Sequence, residues 1–146
     1  MTASQYCRAE LGATYLPVGQ MLQIDRVDQI AGDRIVCEMH IDASHWVFPL
    51  HFPDDPIFPG CLLIEAAGQV VALYGWEAGL RGRPRMAKVS AAFEQPVLAE
   101  DTRLTLTATV RRRRNMCFGS VEIRAGERLV GTVEPVIVVL ASEPAA

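Results

Sequence analysis

His51 and Glu65 stand fourteen residues apart, with Pro59-Gly60 between them. A neutral imidazole near pH 7 is a competent general base. A carboxyl group set among apolar residues is costly to ionise, so burial of Glu65 favours the neutral acid that can donate a proton. The alternative role for Glu65 is structural, as a complement to the positive end of a helix dipole from the second turn. The third element is the Gly60 N–H, placed where amide hydrogens lack partners within a helix and can polarise a carbonyl. Glycine also lets a substrate approach the main chain closely. A base, an acid and a carbonyl donor together serve α-proton abstraction with loss of a β-hydroxyl, as in the elimination of water from a 3-hydroxyacyl thioester.

Such groups need fixed positions. His51 opens the stretch His51-Phe52-Pro53-Asp54-Asp55-Pro56-Ile57-Phe58-Pro59, whose three prolines stiffen the loop and fix the imidazole relative to the helix. From Pro59-Gly60 to near Gly79 the pattern predicts one helix, proline suiting its first turn and glycine its stop. Roughly 20 residues at 1.5 Å each make it ~30 Å long. Leu62, Leu63, Ile64, Val70, Val71, Leu73 and Trp76 do not fit one stripe, which predicts burial on most sides. Cys61, Glu65 and Gln69 recur at helical spacing on one face, and Gly68 and Ala72 keep that face shallow enough for a thin ligand. His40, on the polar side of a strand, and His45, in a turn beside Trp46, have weaker claims.

Around this helix the period changes to two. Ile35 to Ile41 and Leu104 to Val110 alternate apolar with polar or smaller residues, the pattern of half-buried strands. Met86 to Phe93, ended by Pro96, Cys117 to Arg124 and Leu129 to Leu140 read as further strands, with Ala125-Gly126-Glu127 as a hairpin turn. Met21 to Val27 is a weaker strand candidate. A buried helix among antiparallel strands predicts an α+β fold in which a curved sheet wraps a long central helix, with a partner subunit closing what remains.

The composition bounds the rest. At 146 residues, half of them apolar, the chain is the size of one domain. Within the predicted helix the longest uncharged stretch, Ala66 to Trp76, is about half of the ~20 residues that span a bilayer. The opening MTASQYCRAE lacks a basic flank before an apolar block, so the expectation is a soluble, cytoplasmic protein. Cys7, Cys37, Cys61 and Cys117 form no C-x-x-C pair, which argues for reduced thiols rather than a zinc knuckle or disulfide framework. A formal net charge of -3 argues against general affinity for nucleic acid, despite the run Arg111-Arg112-Arg113-Arg114. Only Ser142 to Ala146 reads as a frayed tail.

The stretch from His51 to Gln69, H-F-P-x-x-P-x-x-P-G-C-L-x-x-E-A-x-x-Q, resembles the signature of the 3-hydroxyacyl-[acyl carrier protein] dehydratases of type II fatty acid synthesis, which have the hot-dog fold. Leu16-Pro17 with Met21 to Val27, and Lys88 to Val97, extend the likeness over about residues 15 to 140. The resemblance implies His51 and Glu65 as the catalytic pair and the Gly60 amide as carbonyl donor. It further implies that Gln69 positions the acid, Cys61 lines the site, and no metal or redox cofactor takes part. The implied assembly is a dimer in which His51 of one subunit meets Glu65 of the other. The substrate would arrive on an acidic acyl carrier protein, with docking charge from Arg81, Arg83 and Arg85 or from the Arg111 to Arg114 run. Two features depart from the pattern: Leu50 precedes the histidine, and Asp54 stands where many members have glycine. Glu65 is typical of the branch that only dehydrates, whereas Cys61 and Tyr74-Gly75-Trp76 resemble the branch that also isomerises.

Rival readings share some of these residues. Cys61 at a helix N-terminus, with His51, can form a thioesterase or acyltransferase couple. Hot-dog thioesterases use a carboxylate on the same helix to activate water, but generally lack this loop. A non-catalytic acyl-binding subunit beside an active paralogue is the reading from a different class, and the presence of both His51 and Glu65 weighs against it. A metal site from His51, Asp54, Asp55 and Glu65 is conceivable by ligand type, though the intervening prolines disfavour it.

Overall fold

The computed structural model describes residues 6–7, 10–11 and 14–141. The tail expected at Ser142 to Ala146 and the side chain of Cys7 lie outside the described residues. In chain order the elements are β1 (Tyr6–Cys7), β2 (Arg26–Ala31), β3 (Arg34–His40), α1 (Gly60–Glu77), β4 (Arg83–Phe93), β5 (Arg103–Arg113), β6 (Met116–Ala125) and β7 (Arg128–Leu140). The strands form one sheet in the order β1-β2-β3-β5-β6-β7-β4, antiparallel throughout.

Alternation decides which side of the sheet faces the helix. Leu104, Leu106, Ala108 and Val110 of β5 turn inward and are buried, as are Val121 and Ile123 of β6 and Val133 and Ile137 of β7. α1 lies against this inner surface and buries Leu63, Val70, Val71 and Leu73 among its residues. The approach is close enough to dictate sequence at Gly119, where a Cβ would come 2.3 Å from Val71 Cγ2. The helix ends as its residues require. Gly79 takes φ +97°, a left-handed conformation open to glycine, and Arg112 Nη1 donates to the Ala78 carbonyl at 2.8 Å.

One element differs from expectation. The strand sought at Met21 to Val27 begins only at Arg26, after a short 3₁₀ turn at Gly19–Met21 and an irregular stretch from Leu22 to Asp25. Leu22, Gln23 and Ile24 are all buried, so the stretch does not alternate between two faces. Its backbone groups are used instead to hold a helix side chain. β4 is the other unusual element: it forms one edge of the sheet, and from Arg85 to Phe93 every residue is exposed. Among the described residues no helix is long and apolar enough to cross a membrane.

Candidate active site

The loop ahead of α1 is held by its own backbone. Phe52 and Asp55 exchange two hydrogen bonds, 2.9 and 3.0 Å, Ile57 N–H donates to the His51 carbonyl at 2.8 Å, and Phe58 N–H donates to Val97. Pro53, Pro56 and Pro59 have no N–H to satisfy, so these bonds account for most donors in the segment. Phe58, fully buried against Phe48 and His45, anchors the end that feeds the helix. Among the described non-glycine residues positive φ occurs at Tyr15 and Arg114, so Asp54 occupies its position without a left-handed backbone.

His51 is set by two contacts. Its ring stacks on Phe52, with centroids 4.1 Å apart, and its Nδ1 lies 2.9 Å from the Ile57 carbonyl oxygen. A carbonyl can only accept, so Nδ1 carries the hydrogen in this contact. The neutral ring therefore keeps its lone pair on Nε2, the atom available as base.

Glu65 is fixed from the helix itself. Gln69, one turn later and buried, donates from Nε2 to Glu65 Oε1 at 3.0 Å and to the Met21 carbonyl at 2.7 Å, while its Oε1 accepts the Gln23 N–H at 2.8 Å. With both amide hydrogens and the oxygen engaged, Gln69 cannot flip and can present only a donor to Glu65. The Oε1 of Glu65 is thereby an acceptor, and a proton on a neutral Glu65 belongs on Oε2. The main chain from Met21, at the end of the 3₁₀ turn, to Gln23 is what orients Gln69, a contribution that no side-chain pattern announces because it is made by main-chain atoms.

Glu65 and Gln69 open on a cleft of about 390 Å³ that continues along Gly68 and Ala72 between Tyr15 and the β4 residue Met86. His51 does not line it. Gly60 and Leu63 line a neighbouring cavity of about 330 Å³ with Phe93. A Cβ on Gly60 would meet the Phe93 ring at 3.0 Å, so the bare helix start is also a packing requirement. Pro59 supplies no side-chain cap to the first turn. Cys61 is exposed and lines neither cavity. Within one chain, then, Glu65 and Gln69 come together, whereas His51, Gly60 and Cys61 lie outside their cleft. The other two described thiols, Cys37 and Cys117, are inside the core, and burial pushes both above the ordinary thiol range. Among the described residues no group of three or more potential ligands gathers to hold a metal ion.

The arginines expected to act together are divided by strand geometry. Arg112 turns to the helix end, Arg111 lies over the Phe118 ring at 4.4 Å, and Arg114 sits in the β5–β6 turn with φ 56°. Arg81 stacks on Trp76, Arg83 donates to the Ala141 carbonyl, and Arg85 donates to Pro84. Sequence reading also missed a charged knot on the outer face, where buried Glu38 pairs with Arg26 at 2.7 Å and Arg103 at 3.1 Å. Charges that meet across neighbouring strands carry no spacing signal.

The pattern of the FabA-like domain matches residues 16–134. The chain belongs to the FabA-like domain family. Among solved structures, AziG of S. sahachiroi is 26% identical, matching over 79% of this chain and 90% of that one with a TM-score of 0.63. The dehydratase heterocomplex ApeI:P from Xenorhabdus doucetiae is 13% identical, with coverage of 89% and 90% and a TM-score of 0.73. The thioesterase HI1161 from Haemophilus influenzae is 19% identical, with coverage of 81% and 78% and a TM-score of 0.63. The FabA-like chain thus has the hot-dog fold, a long helix held against an antiparallel sheet, on which dehydratases and thioesterases both occur.

Proposed function

We propose that the protein dehydrates 3-hydroxyacyl thioesters, delivered on acyl carrier protein, to trans-2-enoyl thioesters. The observation that carries this reading is the opposite preparation of its two titratable groups. Hydrogen bonding leaves His51 with a free Nε2 to accept a proton and leaves Glu65 with Oε2 as the oxygen able to give one. His51 Nε2 takes the C2 proton while the Gly60 amide stabilises charge on the thioester oxygen. The C2–H electron pair forms the C2–C3 double bond, the C3–O bond breaks, and the Glu65 proton leaves with the hydroxyl as water. Every atom balances without a further reactant.

Because neither His51 nor Gly60 lines the Glu65 cleft of its own chain, the reading requires a homodimer in which the partner subunit's His51 and the partner subunit's Gly60 complete it. β4 supports such an assembly. Its edge offers unpaired backbone, and Met86, Val89 and Phe93 expose apolar surface on its inner side, a combination that invites a second strand. Docking of an acidic carrier is assigned to Arg81, Arg83 and Arg85, extended by Lys88 and, across the outer face, by Arg111 and Arg113. The register places Arg85 beside Val138, Lys88 beside Val136, and Arg111 beside Phe118, so an apolar floor separates two basic rails.

The test is to incubate wild type, His51→Ala and Glu65→Gln with 3-hydroxyacyl thioesters and follow products by mass spectrometry. Loss of one water, reduced by about 10²-fold or more in either variant, is expected for removal of a general acid or base. Free acid in place of enoyl product assigns a thioesterase, and no turnover at any chain length favours an acyl-binding subunit. The position of the double bond decides between dehydration alone and dehydration with isomerisation. Glutamate in place of Lys88 and Arg111, neither of which lines the Glu65 cleft, is expected to slow reaction on the carrier at low salt and leave small thioesters untouched.

A further inference from the structure

We propose that Met86 is the gate that limits acyl-chain length in the Glu65 cleft, an inference that rests on reading that cleft as the acyl site. Gly68 lies one turn after Glu65 on the same wall, and a Cβ there would stand 2.6 Å from Met86 Cε. The methionine tip therefore rests on the helix backbone, in the space a side chain at position 68 would fill. The cleft does not end there: Ala72 and Tyr15 line it as well. By helix rise, Gly68 is about 4.5 Å and Ala72 about 10.5 Å along the axis from Glu65. A chain running from the acid along this wall meets Met86 first and reaches Ala72 only when the tip has moved.

Two features suit Met86 to that task. The register of β4 against β7 shifts between Met86 and Lys88. This bulge keeps Met86 opposite Ile137 on the inner side while Lys88, paired with Val136, turns outward. The side chain is unbranched and no part of the buried core, so it can turn about its three rotatable bonds without disturbing that core. Ile137, its neighbour across the strands, is β-branched and buried and forms the fixed wall behind it. In the closed position Met86 admits short acyl groups, and long ones enter only by displacing it.

The experiment compares wild type, Met86→Ala, Met86→Phe, Gly68→Ala and the double variant Gly68→Ala/Met86→Ala. Turnover is measured on 3-hydroxybutyryl, 3-hydroxyoctanoyl and 3-hydroxydodecanoyl thioesters, and binding of the matching saturated acyl thioesters by calorimetry. Met86→Ala is expected to raise the ratio of kcat/KM on the longest to that on the shortest chain by at least tenfold, with a parallel change in binding, and Met86→Phe to lower it. Gly68→Ala is expected to weaken all substrates, and the double variant to do better than Gly68→Ala alone, since the collision is removed. Chains that bind with an unchanged length profile in Met86→Ala, or strictly additive losses in the pair, overturn the gate. Binding that shifts with Met86→Ala in a protein that dehydrates nothing keeps the gate and sinks the proposed activity. Failure to bind any chain overturns both.

Discussion

β4 and β5 are each eleven residues long and belong to the same sheet, yet they live in different surroundings. β5 lies between two neighbours and alternates strictly, with Leu104, Leu106 and Ala108 fully buried on its inner side. β4 has one neighbour, and its inner row of Met86, Val89 and Phe93 remains 37–44% exposed. The helix reaches this row at Met86, above Gly68, and at Phe93, above Gly60. β5 is finished by its own chain, whereas β4 presents an apolar side to whatever completes the site. The proposed active site lies along the second kind of surface, where ligand or partner can still supply contacts.

The contrast can be broken most severely on β5. Ala108→Asp places an unpaired carboxylate in the core and is expected to cost more than about 4 kcal/mol, seen as loss of the folded baseline in urea titration. Leu106→Ala, which leaves a cavity, is expected to cost about 2–5 kcal/mol in the same experiment. If either were neutral, β5 would not be a strand closed by its own chain. On β4 the same charge should act differently. Val89→Asp is expected to change the stability of the isolated protomer by about 0.5 kcal/mol or less, while converting the proposed dimer to monomer in sedimentation and abolishing turnover. A dimer that survives would move the interface elsewhere.

Smaller effects come from the pieces that join these regions. Arg112→Ala removes the donor to the Ala78 carbonyl and is expected to destabilise by about 0.5–1 kcal/mol, given the exposure of the contact. At the β4–β5 connection, burial works to raise the Asp101 carboxyl, but the Arg128 hydrogen bond and the Leu98 N–H outweigh it and hold it below the ordinary aspartate value. A depressed acid contributes stability that is complete above the ordinary value of about 3.9 and is lost as pH falls through the lower folded value. Asp101→Asn should therefore flatten the acid limb of stability against pH. Urea midpoints taken from about pH 5 to about pH 2 check the slope.

Much of this architecture was legible before the structure. The alternation of Leu104 to Val110 and the all-round apolar surface from Leu62 to Trp76 each record where a residue points, because burial acts on one side chain at a time. The strand misplaced at Met21 shows the limit. Its apolar residues suit a strand, but Gln23 and Met21 are committed through main-chain atoms to Gln69, and main-chain bonds leave no mark in composition. The same limit hid the division of Arg111 to Arg114, which only the two-sided geometry of β5 and its turn imposes.

For the candidate site, the chain order of His51, Gly60, Glu65 and Gln69 was enough to name chemistry and to resemble a family, since loop, helix start and helix face are local features. Local sequence could not decide that Gln69 is locked into presenting a donor, that His51 lies outside the Glu65 cleft, or that Met86 rests on Gly68. Each of these depends on groups brought together from distant parts of the chain, and hydrogen bonds and steric contacts are set by distance in space. By itself the sequence determined the fold's periodicities and its reactive groups. The tertiary structure decided which atom of each group is left free to react.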